Sequence, residues 1–140
     1  MSTFKTVVPQ PVMWGDMDAF QHVNNVIYLR YFETARIKYF NQLGGSETFS
    51  GNVKPIIASV TANYKQPVVF PDTLQIHVGV TKIGNASMTM GCEMYSEKGY
   101  LAFVGECTFV MYDVVKSKPV GIPKEMRDLV YAIDGDVPSK

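Results

Sequence analysis

Residues 26–43 read V-I-Y-L-R-Y-F-E-T-A-R-I-K-Y-F-N-Q-L and contain neither proline nor glycine. Apolar side chains recur in this stretch at intervals of three and four residues, which places them on one face of an α-helix. The members of this face are Tyr28, Phe32, Ala35, Tyr39 and Leu43. Arg30, Glu33 and Lys38 make the other side polar. The pattern predicts one long helix whose apolar face is covered by another element.

Both ends of this predicted helix carry boundary signals. Asn24 and Asn25 are each suitable N-cap residues, because an asparagine side chain can accept a hydrogen bond from a free N–H group of the first turn. Gly44 and Gly45 follow the last apolar residue, and glycine commonly ends a helix in a left-handed conformation. The helix is therefore expected to begin near Asn25 and to end before Gly44.

After Pro55 the apolar period changes from that of a helix to that of a strand. Four stretches alternate between two faces with a period of two residues, and they begin near Ile57, Leu74, Met88 and Leu101. In the first stretch the alternation places Ile57 on the same face as Ser59 and places Val60 on the other face. Gly84-Asn85 and Lys98-Gly99 are typical hairpin turns.

The short connections between these strands require antiparallel neighbours. Before the helix, residues 7–14 hold Pro9 and Pro11, which indicates an edge strand or a strand that begins near Val12. The sequence therefore predicts an α+β domain in which one long helix covers the apolar face of a five-stranded antiparallel sheet. A short terminal helix is predicted over residues 125–133.

Length and composition exclude several classes of protein. A chain of 140 residues fits a single domain, and its formal net charge of zero argues against a nucleic-acid binder. No apolar run approaches the roughly 18 residues of a membrane span, and no secretory signal is visible. Cys92 and Cys107 fall on apolar strand positions and are expected to be buried free thiols, as in a reducing, cytoplasmic compartment.

The densest group of reactive side chains lies immediately before the helix, at Asp16, Asp18, His22, Asn24 and Asn25. A helix start presents unpaired N–H groups and the positive end of the helix dipole. These groups stabilise a carboxylate and an oxyanion that develops nearby, so the segment could carry acyl transfer. The same residues are also ordinary capping and turn residues, and the spacing alone leaves both interpretations open.

Residues 14–36, W-G-D-M-D-A-F-Q-H-V-N-N-V-I-Y-L-R-Y-F-E-T-A-R, resemble the signature of hotdog-fold acyl-CoA thioesterases of the 4-hydroxybenzoyl-CoA thioesterase-like family. Members of that family typically read D-x-D-x-x-x-H-V-N-N-x-x-Y, followed by E-x-A-R on the helix. N-Y-K-Q-P-V at residues 63–68 and P-K-E-M-R at residues 123–127 extend the similarity to about residues 8–128. Residues 1–140 are accordingly expected to form a single hotdog thioesterase domain.

The resemblance implies an antiparallel sheet wrapped around one central helix. It also implies a homodimer, often paired into a dimer-of-dimers tetramer, with active sites at the dimer interface. Acyl-CoA would be the substrate. No metal, no organic cofactor, no nucleic acid and no membrane partner is implied.

Roles for individual residues also follow from the resemblance. Asp18 would be the catalytic carboxylate, either as nucleophile or as general base for water. The backbone amide near Asn25 would polarise the thioester carbonyl, and His22 would assist. The predicted substrate-binding residues are Asn24, Tyr28 and Ser59. Asp16 is expected to hold the loop through bonds from its side chain to the backbone.

Two other functions remain open beside thioester hydrolysis. The domain could bind acyl-CoA without turnover, or it could be a hydratase or dehydratase acting on acyl thioesters. CoA carries several phosphates, so local basic groups would help to bind it. The lysine candidates for this role are Lys54, Lys65, Lys82, Lys116 and Lys118.

Overall fold

The computed structural model describes residues 3–44 and 51–138 of the chain. The chain begins with strand β1 (Thr6–Pro11), a short 3-10 turn (Trp14–Asp16) and helix α1 (Asn25–Gln42). The long strands follow as β2 (Val53–Tyr64), β3 (Thr73–Ile83), β4 (Ser87–Ser96) and β5 (Leu101–Asp113). A two-residue strand, β6 (Lys118–Pro119), and helix α2 (Lys124–Asp134) complete the fold.

The strands form one antiparallel sheet in the order β1-β3-β4-β5-β2, and β6 pairs with β5 as a sixth strand. The predicted α+β class with an antiparallel sheet is confirmed. Gly84 and Gly99 lie in the two hairpin connections, and Gly99 adopts a φ of +97°, which an L side chain rarely adopts. The predicted terminal helix is present as α2.

Helix α1 is 18 residues long and its predicted boundaries hold to within a residue. Asn24 is the N-cap, and its side chain accepts a hydrogen bond from the Val26 N–H at 3.1 Å. Gly44, just beyond the end of the helix, has a φ of +113°. Gly45, the second residue of the predicted stop signal, lies outside the described residues.

The core lies between the apolar face of α1 and one face of the sheet. The helix contributes five buried residues, Tyr28, Tyr31, Phe32, Ala35 and Tyr39. The sheet contributes alternate residues of β3, β4 and β5, which include Ile76, Met90 and Phe103. Cys92 and Cys107 are buried free thiols in this layer, as predicted. Burial raises the pKa of each thiol above its ordinary value, so both remain protonated and unreactive near neutral pH.

The two edges of the sheet differ in character. β1 is the edge strand predicted from Pro9 and Pro11, because proline cannot donate a bond to a sheet ladder. The other edge, β2, contains a bulge between Ile57 and Ser59. Ile57 pairs with Phe109, whereas Ser59 pairs with Thr108, so these two residues lie on opposite faces of the sheet. The predicted alternation was wrong at this point because a bulge inserts one extra residue and reverses the parity of the strand.

Helix α2 covers the part of β3 that extends beyond β1. The Asp134 carboxylate accepts a hydrogen bond from the Val80 N–H at 3.0 Å and another from the Tyr39 hydroxyl. The second bond ties the end of α2 to the buried face of α1. An edge N–H group of the sheet thereby gains a partner that a neighbouring strand does not provide.

The helix–sheet contact predicts a large cost for truncation at its centre. Phe32 is fully buried, so Phe32→Ala should lower the free energy of unfolding by about 3–5 kcal/mol. Urea denaturation followed by circular dichroism measures the change. Lys38→Ala on the exposed side of the same helix is the control and should cost less than about 0.5 kcal/mol. Equal losses for the two variants would contradict the packing described here.

Candidate active site

The loop between β1 and α1 is held by the carboxylate of Asp16. Its Oδ2 accepts a hydrogen bond from the Met13 N–H at 3.0 Å and another from the Tyr31 hydroxyl. The backbone carbonyl of the same residue accepts the Asn24 N–H at 2.9 Å. Because Tyr31 and Asn24 belong to the helix and its cap, Asp16 ties both ends of the loop to α1. The predicted loop-holding role of Asp16 is confirmed.

Asp18 lies in a tight turn of this loop and is half-buried. Its N–H donates to the His22 carbonyl at 3.0 Å, and its own carbonyl accepts the Gln21 N–H at 3.0 Å. Gln21 adopts a φ of +65°, a left-handed conformation that closes the turn. Oδ1 of Asp18 accepts the Phe20 N–H at 2.9 Å. Within residues 3–44 and 51–138, the hydrogen bond to the carboxylate of Asp18 is made at Oδ1 and none is made at Oδ2.

The first turn of α1 contains one backbone N–H group without an acceptor among the described residues. The Val26 N–H is bonded to the Asn24 side chain at 3.1 Å and the Ile27 N–H to the Asn24 carbonyl at 2.9 Å. The Asn25 N–H precedes any intrahelical acceptor and has none among the described residues. The Tyr64 hydroxyl donates to the Asn25 carbonyl at 2.9 Å, which holds this peptide in place.

Asp18 and the start of α1 share a cavity of about 340 Å³, which we call the helix-side cavity. Its lining residues are Asp18, His22, Val23, Asn25, Tyr28, Tyr64, Lys65, Gln66 and Pro67. The structure thus brings together four of the predicted site residues, Asp18, His22, Asn25 and Tyr28. Asn24 does not line this cavity, and its side chain is engaged in capping the helix.

Ser59 is not brought to Asp18 within the protomer. It lies on the exposed edge strand β2, on the face of the sheet opposite the core, and does not line the helix-side cavity. Its predicted contact with substrate stays a prediction.

A second cavity of about 490 Å³, which we call the loop-side cavity, also has Asp18 in its wall. Its lining residues are Trp14, Met17, Asp18, Gln21, Val69 and Phe70. The Phe70 N–H donates to the Met17 sulfur at 3.5 Å, and Met17 pairs with Val23 in an isolated β-bridge. The contact between Phe70 and Met17 connects the two segments, 14–21 and 69–70, that form the walls of the loop-side cavity.

The sequence did not identify Tyr64 and Gln66 as site residues, and it placed Lys65 only among five candidate lysines. All three follow one another at the end of β2 and line the helix-side cavity. Their signal was the N-Y-K-Q-P-V segment, which the resemblance marked without assigning it a role. The Tyr64 ring lies 5.4 Å from Tyr28, and Tyr28 stacks on Phe103 at 5.3 Å, so this cavity has an aromatic floor.

Burial raises the pKa of Tyr28 to about 12, and the nearby Tyr100 and Tyr64 hydroxyls and the Asp72 carboxylate add to the shift. The backbone of Val68 interacts with the same hydroxyl and partly offsets it. Tyr28 therefore keeps its proton near neutral pH and does not serve as a general base. Its hydroxyl contributes hydrogen bonding and its ring contributes packing.

A sequence model of the thioesterase-like superfamily matches residues 12–130 of the chain. The chain belongs to this superfamily. The predicted family is therefore confirmed, and with it the prediction that the protein is a thioester hydrolase.

Several known proteins are similar to this chain over most of its length. The long-chain acyl-CoA thioesterase FadM of Escherichia coli (strain K12) is 27% identical over 117 residues, which cover 80% of this chain and 86% of the relative. The crystal structure of the PA5185 protein of Pseudomonas aeruginosa strain PAO1 superposes on this chain with a TM-score of 0.85 and 30% sequence identity. The match covers 96% of this chain and 95% of that protein. A Thermus thermophilus thioesterase crystallised with coenzyme A and zinc has 26% identity and a TM-score of 0.85, with 97% and 98% covered.

Two further observations bear on the site and its surroundings. In the part of the chain that the structure describes, no three His, Cys, Asp or Glu side chains are grouped so that they could hold a metal ion. Neither of the helices described combines the length and the apolar character that crossing a membrane requires.

The raised pKa of Tyr28 predicts part of the alkaline denaturation of the protein. Its ordinary value is 10.0 and its folded value is about 12, so ionisation between these two pH values favours the unfolded chain. The stability from this group is fully present below pH 10 and is lost as the pH rises through 12. Urea midpoints of the wild type should fall across this interval, and those of Tyr28→Phe should fall less steeply. Parallel curves would contradict the assignment.

Proposed function

We propose that this protein hydrolyses an acyl-CoA thioester to a free acid and CoA, with Asp18 as the catalytic carboxylate. The observation that carries the proposal is the pairing of two unsatisfied groups in one cavity. Oδ2 of Asp18 and the N–H of Asn25 both belong to residues that line the helix-side cavity, at the start of α1. A nucleophilic or basic oxygen and an oxyanion donor are the minimum equipment for acyl transfer.

The thioester carbonyl oxygen would accept the Asn25 N–H, which points along the helix dipole toward developing negative charge. If Asp18 acts as nucleophile, its oxygen bonds to the carbonyl carbon and the C–S bond breaks. CoA then leaves as a thiolate, and water cleaves the resulting anhydride. If Asp18 acts as general base, it takes a proton from a water molecule that attacks the same carbon. Both routes consume one water and release the acid and CoA.

The remaining predicted residues have supporting roles in this proposal. His22 is exposed and lines the helix-side cavity, where it would contact the substrate. Asn24 holds the first turn of α1, and through it the Asn25 amide, by capping the helix. Tyr28 forms the floor against which the substrate lies.

The proposal includes a homodimer formed through the edge of β2. This strand is 12 residues long, lies at the edge of the sheet, and exposes Ile56, Ile57 and Val60 to solvent. A long edge strand that exposes apolar side chains is a template for pairing with another chain. A second copy is the natural partner, and pairing would bring Ser59 of this strand to the interface. A dimer of dimers would need a further contact surface.

The Asp18→Asn variant tests the proposed mechanism. The amide has the same shape but is neither a base nor a nucleophile of useful strength, so kcat should fall by at least about 10²-fold. Release of CoA thiol is measured with short, long, branched and aromatic acyl-CoA substrates. The matched control is Asp136→Asn, an exposed aspartate that lines neither cavity beside Asp18. Full activity of Asp18→Asn would overturn the mechanism.

The same panel separates the proposal from its alternatives. Tight binding of acyl-CoA with no thiol release from any substrate would favour a non-catalytic binding domain. Product masses that show addition of water across a double bond, with the thioester intact, would favour a hydratase. Thiol release with formation of the free acid supports thioester hydrolysis.

The Val60→Lys variant tests the dimer. A charge placed on the apolar edge of β2 should prevent strand pairing, so light scattering should report a mass near 15.6 kDa. The wild type should have at least twice this mass. Lys38→Glu, a charge change on the exposed side of α1, is the control and should leave the assembly unchanged. A monomeric wild type would contradict this part of the proposal.

A further inference from the structure

We propose that the loop-side cavity holds the acyl chain of the substrate and selects for extended apolar acyl groups, with Trp14 and Phe70 as the specificity-determining residues. This inference rests on the proposed thioesterase function of Asp18 and assigns a substrate class to it. It assigns the acyl group and the CoA group of the substrate to two separate cavities, and Asp18 lies in the walls of both.

The first observation is that Asp18 belongs to the walls of both cavities. A thioester carbonyl has two substituents, the acyl chain on one side and the thiol carrier on the other. A carboxylate that reaches this carbonyl must therefore have room for both substituents. The helix-side and loop-side cavities, which both have Asp18 in their walls, provide that room.

The second observation is the chemical difference between the two cavities. Four apolar side chains, Trp14, Met17, Val69 and Phe70, line the loop-side cavity together with Asp18 and Gln21, and this lining contains no lysine, arginine or histidine. Lys65 and His22 line the helix-side cavity. CoA phosphates favour a basic neighbour, whereas an alkyl chain gains from contact with apolar side chains. The loop-side cavity therefore takes the acyl chain, and the CoA group leaves past Lys65.

The third observation is the exposure of the apolar residues around the loop-side cavity. Trp14 is 73% exposed, and Val69 and Phe70 are each 39% exposed. Contiguous exposed apolar side chains mark interaction sites on soluble proteins. An acyl chain in this cavity would cover them, and each buried methylene group should tighten binding by about fourfold. The volume of about 490 Å³ lies within the range of small-molecule sites.

Trp14 is the single tryptophan of the chain, so its fluorescence reports directly on this cavity. S-dodecyl-CoA, S-butyl-CoA and free CoA are the probes, because alkyl thioethers lack the carbonyl and cannot be hydrolysed. Binding of S-dodecyl-CoA should shift the emission of wild-type protein to shorter wavelength. Free CoA should bind without this shift, and S-butyl-CoA should produce less of it.

Kinetics with butanoyl-, octanoyl- and dodecanoyl-CoA test the selectivity. In the wild type kcat/KM should rise with chain length. In Trp14→Ala and Phe70→Ala the ratio of dodecanoyl to butanoyl kcat/KM should fall about tenfold, and Trp14→Phe should restore most of it. Lys65→Met should lower kcat/KM by one common factor for all three substrates. Val115→Ala, at an exposed apolar residue that lines neither cavity, is the control and should match the wild type.

The outcomes separate this inference from the proposed function. The acyl assignment is overturned, and the proposed hydrolysis is not, by either of two results. One is an unchanged ratio of dodecanoyl to butanoyl kcat/KM in Trp14→Ala and Phe70→Ala, and the other is a wild-type tryptophan emission that S-dodecyl-CoA does not shift. Loss of the dimer in Trp14→Ala, measured by light scattering, shows that a second copy covers the patch and also overturns it. A fluorescence shift with no hydrolysis of any acyl-CoA supports the acyl site and overturns the proposed activity on acyl-CoA.

Discussion

The structure depends on the hydrogen bonds of three tyrosines on the buried face of α1, because their hydroxyl groups lie in the core layer. A buried hydroxyl without a partner is costly, so each of them must find a hydrogen bond. Tyr31 donates to Asp16, Tyr39 donates to Asp134, and Tyr28 interacts with the backbone of Val68. Each partner lies in a different peripheral segment. The helix therefore organises the loop before it, the segment after β2 and the terminal helix.

This arrangement places the candidate chemistry on a rigid support. The turn that contains Asp18 lies between Asp16, which is bonded to the helix, and Val23, whose N–H donates to the Val68 carbonyl at 2.9 Å. Asp18 is thereby held in the wall of the cavity that Asn25 also lines before any substrate arrives. Preorganisation of this kind lowers the free energy needed to align a reacting carbonyl. The core packing of α1 and the proposed catalysis thus rest on the same residues.

Most of the fold could be predicted from local patterns, and the failures have local physical causes. The helix boundaries followed from apolar spacing and from the asparagine and glycine signals, and edge strand β1 followed from its prolines. The face of Ile57 was predicted wrongly, because a bulge is a property of strand pairing and leaves no mark in alternation. Tyr64 and Gln66 were missed as site residues because their position beside Asp18 depends on how the end of β2 meets the helix start.

The sequence by itself determined the class of the fold, the family and the segment that carries reactive groups, since these depend on spacing along the chain. Spacing alone left Asp18 open between a turn residue and a catalytic one, the resemblance assigned it the catalytic role, and neither could choose among five lysines. The tertiary structure decided which residues share a cavity: Asp18, Asn25 and Lys65 all line the helix-side cavity. The pairing of hydrogen-bonding groups and the shape of a cavity are set only when distant segments pack together, so they cannot be predicted from the spacing of residues along the chain.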